Sequence, residues 1–226
     1  MQKHSTFVKI LVMSVQVKKF TFNAFQENTF LVYNEKSGVI IDPGCYERSE
    51  QQALFESIES LGIEIKAILL THAHIDHVLG LRAVTEKYHL PVTLHQIEVD
   101  TLKAVQSYAA IYGFPGYSEP EENYILLQGD ETLNFDGIKM EVFFTPGHSV
   151  GHVVYYLPSI NTVINGDVLF QGSFGRVDLP GGDMEVLKNS IFNVMFQLPD
   201  ETIICCGHGP ETTVGREKQT NFIHQF

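Results

Sequence analysis

The sequence predicts an α/β protein of four layers, in which two mixed β-sheets pack face to face and helices cover both outer faces. Two observations lead to this fold class. Strand-like segments outnumber helical ones, and the helices fall between groups of strands in both halves of the 226-residue chain. No internal repeat and no linker rich in proline, glycine or serine divides the sequence. We therefore expect a single domain over residues 15–226, preceded by a ragged N-terminal extension over residues 1–14.

The first half of the chain opens with strands and continues with alternating helices and strands. Apolar strand-like runs lie at residues 15–22, 29–33 and 39–41, and the turn signal Asp42-Pro43-Gly44 closes the last of them. Apolar residues then recur at helical spacing up to Gly62, which predicts an amphipathic helix. This helix is expected at residues 48–61. After it we expect a strand at 65–70, a helix at 77–88, a strand at 91–94 and a helix at 96–111.

A loop separates the two halves at residues 113–122, where two prolines, two glycines and three glutamates occur together. We expect this loop to be exposed. The alternative is that the loop, with Phe114 and Tyr117, forms a flap over a site. On the helix before it, the residues expected to face the core are Ile97, Val105, Ala109 and Tyr112. The later strands are expected at residues 124–127, 132–135, 138–145, 153–157, 162–164 and 202–205, and the later helices at 183–198 and 212–222.

Charge and composition exclude several classes of function. Lysine and arginine number 15 against 27 aspartates and glutamates, a net charge of −12, which disfavours nucleic acid and anionic membrane surfaces as partners. No apolar run approaches the roughly 20 residues that span a bilayer. The three cysteines, Cys45, Cys205 and Cys206, suit buried positions in a reducing, cytoplasmic setting. We expect a small-molecule substrate; the sequence gives no signal for an oligomeric state.

One pattern recurs four times along the chain: an apolar strand-like run ends, and a potential metal ligand follows. These ligands are His72, His148, Asp167 and His208. Loops just past strand ends are where a rigid scaffold presents functional groups. A glycine directly precedes each of the last three, which allows a tight turn and a close approach of the backbone.

The densest cluster is Thr71-His72-Ala73-His74-Ile75-Asp76-His77. Residues two apart on a helix point in nearly opposite directions, so His72 and His74 cannot converge there. They can converge in an extended turn that leads into a helix at Asp76. Asp76 could also serve only to cap that helix. Because histidine and aspartate are poor core residues, so dense a group favours metal binding over packing.

Together these residues form a set of five histidines and two aspartates. Imidazole and carboxylate suit zinc, with iron or manganese possible. Seven ligands exceed one tetrahedral site, so we expect two divalent ions that share a carboxylate. Such a centre generates hydroxide near neutral pH and stabilises an oxyanion that forms on a carbonyl. The expected ligands are His72, His74, Asp76, His77, His148, Asp167 and His208.

These motifs resemble those of the metallo-β-lactamase superfamily, and within it the glyoxalase II-like branch. The resemblance rests on the His-x-His-x-Asp-His motif, the three later ligands and five supporting segments in the family's order. The supporting segments lie at residues 42–44, 145–152, 166–170, 175–178 and 207–210. The resemblance covers nearly the whole chain and implies the αββα fold of that superfamily.

The resemblance also implies the role of each residue. His72, His74 and His148 would hold one metal, and Asp76, His77 and His208 the other, with Asp167 bridging. A bridging hydroxide would attack a thioester or ester carbonyl, and Asp76 would be the catalytic residue that orients this water. His152 would support the ligands from behind without binding metal.

Two features bear on the substrate. In the similar families a basic residue at the place of Arg176 reaches the carboxylate of the substrate; the alternative is an internal ion pair with Asp178 or Asp183. Glyoxalase II enzymes add a C-terminal helical region that grips glutathione with basic residues. Here 16 residues follow Pro210, with Arg216 and Lys218 among them.

The leading interpretation is therefore a dinuclear hydrolase that cleaves an S-acylglutathione-like thioester or a related small ester. The alternative is a persulfide dioxygenase with a single iron at His72, His148 and Asp167. His152 favours the hydrolase, because the dioxygenases tend to lack a histidine there. A non-catalytic metal-binding module is disfavoured, because a degenerate relative would have lost some of the ligands.

Overall fold

A computed structural model describes residues 14–226 of the chain. Apart from Ser14, the expected N-terminal extension lies outside the described residues. The first half contains β1 (Gln16–Phe22), β2 (Glu27–Tyr33), β3 (Ser37–Ile41), α1 (Arg48–Leu61), β4 (Glu64–Leu69), α2 (Ile75–Val78), α3 (Leu81–Tyr88), β5 (Val92–His95), α4 (Glu98–Tyr108) and β6 (Tyr124–Leu127). The second half contains β7 (Thr132–Phe135), β8 (Ile138–Phe144), β9 (Val153–Leu157), β10 (Thr162–Gly166), β11 (Leu169–Phe170), β12 (Ser173–Phe174), α5 (Met184–Asn193), β13 (Ile203–Cys206), β14 (Thr212–Thr213) and α6 (Val214–Thr220).

Two six-stranded mixed sheets form the centre of the fold. The first has the order β1-β2-β3-β4-β5-β6, antiparallel from β1 to β3 and parallel from β3 to β6. The second has the order β14-β13-β10-β9-β8-β7, in which only the β10–β13 pair is parallel. Strands β11 and β12 form a separate hairpin. The mixed character predicted for both sheets is confirmed.

Alternation along the strands shows how the layers pack. In β2, Phe30 and Val32 lie in the core between the two sheets, where they share a cluster with Tyr155 of β9. Leu31 between them joins the cluster that α1, α3 and α4 form on the outer face of the first sheet. Val154 of β9 likewise joins the cluster that α5 and α6 form on the second sheet. Successive side chains point to opposite faces of a strand, so four layers result, as predicted.

Helix α1 has the predicted bounds because its sequence contains both end signals. The side chain of Glu50 accepts hydrogen bonds from the backbone N–H groups of Tyr46 and Glu47, at 2.8 and 2.9 Å, which satisfies donors that the first turn leaves free. Gly62 ends the helix in the left-handed region, with φ 65°, a conformation that glycine adopts without a steric cost.

The single helix predicted over residues 77–88 is wrong, because Gly80 separates α2 from α3. The N–H of Gly80 donates to the carbonyl of Pro43 at 2.8 Å. A Cβ at this position would lie 2.3 Å from Sγ of Cys45, so the chain packs here too closely for a side chain. The predicted closing helix is also shorter: residues 212–213 form β14, and Phe222–Gln225 form a 3₁₀ turn.

The loop at residues 113–122 is largely exposed, as expected, but two of its aromatic side chains are not. Phe114 and Tyr117 are buried in the core under the helices of the first sheet. Phe114 packs edge-on against Tyr46, with ring centroids 4.9 Å apart, and the N–H of Gly116 donates to the hydroxyl of Tyr46 at 2.9 Å. Two aromatic anchors hold this loop down, so it is neither fully exposed nor a flap.

The stripe expected on α4 is half right. Val105 and Ala109 are buried, whereas Ile97 and Tyr112 are about half exposed. Ile97 precedes the first residue of α4 and Tyr112 follows its last, so neither continues the helical face. The three cysteines are buried as predicted, and burial raises the pKa of the Cys206 thiol to about 12. Over residues 14–226 we find no helix that is both long and apolar enough to cross a membrane.

Candidate metal centre

The structure brings all seven predicted ligands together at one end of the two sheets. The loop and helix α2 after β4 of the first sheet present four of them, and loops after β8, β10 and β13 of the second sheet present the other three. Helix α2 begins after His74, which is itself extended with φ −66° and ψ 151°, so His72 and His74 both lie outside the helix, as their convergence requires. Asp76 lies in the first turn of α2 and does not cap it, since His74 occupies the N-cap position.

Three histidines form the first group of ligand atoms. One atom each of His72, His74 and His148 lies within 4.8 Å of the others. Nδ1 of His74 and Nε2 of His148 are 2.9 Å apart. His72 is completely buried, and its Nε2 has no hydrogen-bond partner. This grouping is the one that the resemblance assigned to the first metal.

The second group consists of Asp76, His77 and His208, again with ligand atoms within 4.8 Å of one another. Nε2 of His208 lies 3.0 Å from Oδ2 of Asp76, and Nε2 of His77 lies 3.8 Å from the same oxygen. His77 is completely buried, and its Nε2 has no hydrogen-bond partner. This is the grouping assigned to the second metal.

The carboxylate of Asp167 reaches both groups. Its Oδ2 lies 3.6 Å from Nε2 of His148 in the first group and 3.5 Å from Nε2 of His208 in the second. Its Oδ1 lies 3.5 Å from Nε2 of His77. Asp167 is therefore placed as a residue shared by the two groups would be.

The residues present fit the metal ions that the motif implies. Three buried atoms in the cluster lack a hydrogen-bond partner: Nε2 of His72, Nε2 of His77 and Oδ1 of Asp167. Buried polar atoms are rarely left unpaired in proteins, so three in one place require an explanation. A divalent cation is the partner that imidazole and carboxylate atoms accept together.

Backbone carbonyls orient two of the histidines from outside the cluster. Nδ1 of His148 donates to the carbonyl of Arg176 at 2.7 Å, and Nδ1 of His208 donates to the carbonyl of Phe25 at 3.1 Å. A ring that donates through Nδ1 keeps the lone pair of Nε2 for a metal. These contacts therefore fix both the tautomer and the direction of each ring.

Asp42 does the same for His77, and sequence reasoning missed it. Its Oδ2 accepts hydrogen bonds from Nδ1 of His77, at 3.1 Å, and from the hydroxyl of Thr71, at 2.6 Å, while its Oδ1 accepts from the N–H of Thr71 at 2.7 Å. Oγ1 of Thr71 in turn lies 3.0 Å from Nδ1 of His72. Asp42 holds a left-handed φ of 52°, a strain that clusters at functional sites. The sequence signal that could have identified Asp42 is its position directly after a buried strand, like that of the candidate ligands.

Two further buried carboxylates lie behind the cluster, and the sequence singled out neither. Glu27 is completely buried 3.9 Å from Nδ1 of His77, and its Oε2 accepts a hydrogen bond from Thr29 at 2.9 Å. Burial raises the pKa of Glu27 well above its usual value. The other is Glu98, at the start of α4.

Burial and charge set the protonation of the candidate ligands. Burial lowers the pKa of His72 well below its ordinary value and that of His74 to about 3, so both imidazoles are neutral, as ligation requires. Burial alone would raise the pKa of Asp167, but the neighbouring His77, with His148 and His208, lowers it strongly. Without metal, His72 and His74 are therefore neutral and Asp167 is ionised. Burial alone would lower the pKa of His77 and of His208, but the carboxylates of Asp167 and Asp76 raise both above the ordinary value.

His152 lies beside the cluster, outside both groups of ligand atoms. Its Nε2 accepts the backbone N–H of Asp167 at 3.2 Å, and its Nδ1 lies 3.2 Å from the hydroxyl of Thr145. Its ring stacks on that of His72, with centroids 4.7 Å apart. Both ring nitrogens are thus engaged with protein groups, an arrangement that suits the supporting role predicted for it.

A cavity of about 820 Å³ opens over the cluster. Five aromatic side chains line it, together with Ile75, Leu179 and Pro180: Phe25, Tyr108, Tyr112, Phe170 and Phe174. Residues 113–122, Arg216 and Lys218 are not among its lining residues. The walls are therefore largely apolar, and the hairpin of β11 and β12 forms one of them.

The structure shows the ion pair between Arg176 and Asp178 that was the alternative expectation. Arg176 lines the cavity, and its guanidinium forms a bidentate ion pair with Asp178, with both N–O distances at 2.7 Å. Both side chains are exposed, so this pair contributes little stability. Asp183 instead caps α5 by accepting a hydrogen bond from the N–H of Val186 at 3.0 Å.

Comparison with known proteins extends these observations to the family level. A model of the metallo-beta-lactamase superfamily matches residues 22–208. The hydroxyacylglutathione hydrolase GloC of Haemophilus influenzae is 36% identical over 213 residues, which cover 92% of this chain and 97% of the relative.

Two solved structures are similar over almost their whole length. The B3 metallo-beta-lactamase BLEG-1 is 37% identical, with a TM-score of 0.84, over 92% of this chain and 99% of that chain. TTHA1623 in a di-iron-bound form is 38% identical, with a TM-score of 0.80, over 91% of this chain and 98% of that chain.

Proposed function

The chain belongs to the metallo-β-lactamase superfamily, and on that premise we propose that it is a dinuclear metal-dependent hydrolase of the glyoxalase II-like type. Its substrate would be a thioester of the S-acylglutathione kind or a related small ester. The name of the GloC relative supports this reaction class. The observation that carries the proposal is the position of Asp167, whose Oδ2 lies within 3.6 Å of a histidine from each of two triads of ligand atoms, beneath an open cavity.

The proposed ligands are His72, His74 and His148 for one ion, Asp76, His77 and His208 for the other, and Asp167 for both. Zinc is the ion we propose, and the di-iron form of TTHA1623 keeps iron as an alternative. When bound, such ions supply hydroxide near neutral pH and stabilise negative charge that develops on a carbonyl oxygen.

Asp76 is the residue to which we assign the orientation of the attacking water. It lines the cavity, and its Oδ2 lies 3.0 Å from Nε2 of His208. An ionised carboxylate accepts a hydrogen bond from water and can hold it in one orientation.

The cavity also indicates how the substrate is held. Apart from the proposed ligands, Arg176 is the one charged residue among those that line it. A substrate carboxylate would have to displace Asp178 from the guanidinium, while the aromatic walls favour an apolar acyl or thiol portion. We propose a small-molecule substrate on this basis. The cytoplasm remains our proposed location, on the three unpaired cysteines.

Metal analysis combined with activity assays tests the proposal. Purified protein should contain close to two ions per chain and hydrolyse S-lactoylglutathione, while Asp167→Ala should lose both properties. Asp130→Ala, which removes an exposed carboxylate away from the cavity, should keep them.

Three results would contradict the proposal. Metal-free protein that still hydrolyses the thioester would exclude the mechanism. One iron per chain together with oxygen uptake on glutathione persulfide would establish the dioxygenase. Tightly bound metal without turnover of thioesters, persulfides or β-lactams would favour a non-catalytic module.

A further inference from the structure

We propose that Glu98 is a positioning residue that holds the first triad of ligands, and that it acts on one metal of the two. The inference rests on the dinuclear centre proposed above and adds a residue to it. Glu98 is the first residue of α4, and its side chain is completely buried. Its carboxylate lies between the two loops that present the three histidines of this triad.

The contacts of Glu98 join those loops directly. Oε2 accepts a hydrogen bond from the backbone N–H of Ala73 at 2.9 Å. Oε1 accepts one from the N–H of Gly151 at 2.7 Å and a short one from the hydroxyl of Ser149. These donors belong to two segments that are more than 70 residues apart in sequence and follow strands of different sheets.

Each contacted segment contains ligands of the first triad next to the contacted residue, while Asp76 and His77 of the second triad lie one helical turn beyond Ala73. Ala73 lies between His72 and His74, and Ser149 directly follows His148. In contrast, no hydrogen bond joins Glu98 to any residue of the second triad within the described part of the chain. Glu98 therefore controls the separation of the two segments that must converge on one ion.

The chemistry of the three donors requires a carboxylate at this position. Both backbone N–H groups donate, to different oxygens of Glu98, and neither can become an acceptor. A glutamine has the same shape, but its NH₂ group would face one of those N–H groups in either orientation. The segment that loses its acceptor would leave a buried N–H unpaired.

The packing around Glu98 is close on the side of Gly151. A Cβ on Gly151 would lie 2.8 Å from Cγ of Glu98, so this glycine allows the backbone to approach the carboxylate. The loop from His148 to Gly151 is thereby fixed against the start of α4. Displacement of either segment changes the distance between His74 and His148, whose nitrogens are 2.9 Å apart.

The experiment is a chelator titration of the zinc-loaded protein, with the ions that remain bound counted per chain. Wild type should release two ions at similar chelator concentrations. Glu98→Gln should release one ion at a roughly 10- to 100-fold lower concentration, the range found when a group that orients metal ligands is lost, and keep the other as wild type does. Asp100→Asn, which alters an exposed carboxylate on the same helix, should match wild type.

Other outcomes would overturn the inference. Two ions released together at wild-type concentrations would show that Glu98 does not position ligands. Loss of both ions in parallel with a lower melting temperature of the metal-free variant would show a purely structural role. If Glu98→Gln does not fold, Ser149→Ala provides a second test, because it removes one hydrogen-bond donor and keeps the carboxylate. This variant should weaken the binding of one ion, to a smaller extent than Glu98→Gln. Retention of both ions as in wild type would exclude the positioning role. A wild-type protein that binds fewer than two ions would refute the dinuclear centre itself.

Discussion

Oδ2 of Asp42 lies 3.1 Å from Nδ1 of His77, and both side chains are buried from solvent. The carboxylate fixes the tautomer of the ring and directs its Nε2, which has no protein partner, toward the cluster. Because Asp42 also accepts two hydrogen bonds from Thr71, one carboxylate sets the orientation of the residues at the start of the histidine cluster.

The substitution Asp42→Asn should therefore weaken metal binding without removing a ligand. An amide keeps one oxygen acceptor and turns an NH₂ group toward either the N–H of Thr71 or the ring of His77. We expect metal affinity or kcat/KM to fall by roughly 10- to 100-fold, measured by metal titration and steady-state kinetics. Asp130→Asn is the matched control, and wild-type affinity in Asp42→Asn would refute the orienting role.

Gly207 leaves space that the metal centre needs. A Cβ there would lie 2.1 Å from Oδ1 of Asp167 and 2.8 Å from Cε1 of His77. Gly207→Ala should therefore displace the shared carboxylate and lower the metal content per chain. Gly209→Ala, two residues on, has open space but a φ of 71°, so it should cost about 1 kcal/mol of stability and retain metal. Equal metal content in the two variants would contradict this account.

Acid should destabilise the metal-free protein through its buried histidines. Burial lowers the pKa of His74 to about 3, from an ordinary value of 6.5. Between these values the unfolded chain binds a proton at His74 that the folded chain does not, so the free energy of unfolding falls as pH decreases. One such group contributes at most about 1.4 kcal/mol per pH unit.

Denaturant unfolding of the metal-free protein at pH 4, 5 and 6 measures this dependence. The variant His74→Asn should show a shallower pH dependence than wild type over that range, since it lacks the titrating group. An exposed histidine, His224, supplies the control, because His224→Asn should leave the slope unchanged. Parallel slopes for wild type and His74→Asn would contradict the prediction.

Tyr112 should contribute to substrate binding and not to metal binding. Its half-exposed ring lines the cavity and packs against Tyr108, with centroids 5.6 Å apart. The substitution Tyr112→Ala removes part of this apolar wall and should cost about 1 kcal/mol of substrate-binding free energy. This corresponds to a roughly five-fold rise in KM for thioesters with apolar acyl groups. Ile111→Ala, the exposed neighbour outside the cavity lining, should leave KM unchanged. A fall in metal content in Tyr112→Ala would argue against a role confined to the cavity.

The grouping of the seven candidate ligands could be predicted because their signal is local. Four of them directly follow strand-like runs and four lie within six residues, so neither pattern depends on long-range contacts. Asp42 and Glu98 were missed because their partners lie 25 to 53 residues away. An acidic residue in the first turn of a helix ordinarily needs no explanation beyond the helix dipole, so nothing in the sequence marked Glu98 as buried.

The fold class and most of the helices and strands could also be predicted from the sequence. Apolar runs, turn signals and the helical spacing that ends at Gly62 gave most element bounds within two residues. The errors fall where packing decides the structure: Gly80 interrupts a helical pattern because Cys45 lies behind it. The strands β11, β12 and β14 contain two residues each, too few to show any periodicity.

The order of the ligands along the chain has a consequence for synthesis. His72, His74, Asp76 and His77 emerge from the ribosome together, whereas His208 follows 131 residues after His77. During most of translation the nascent chain therefore exposes an incomplete chelating cluster, open to any divalent ion in its surroundings. The full set of candidate ligands can therefore assemble only after His208 has been synthesised and β13 has joined the second sheet.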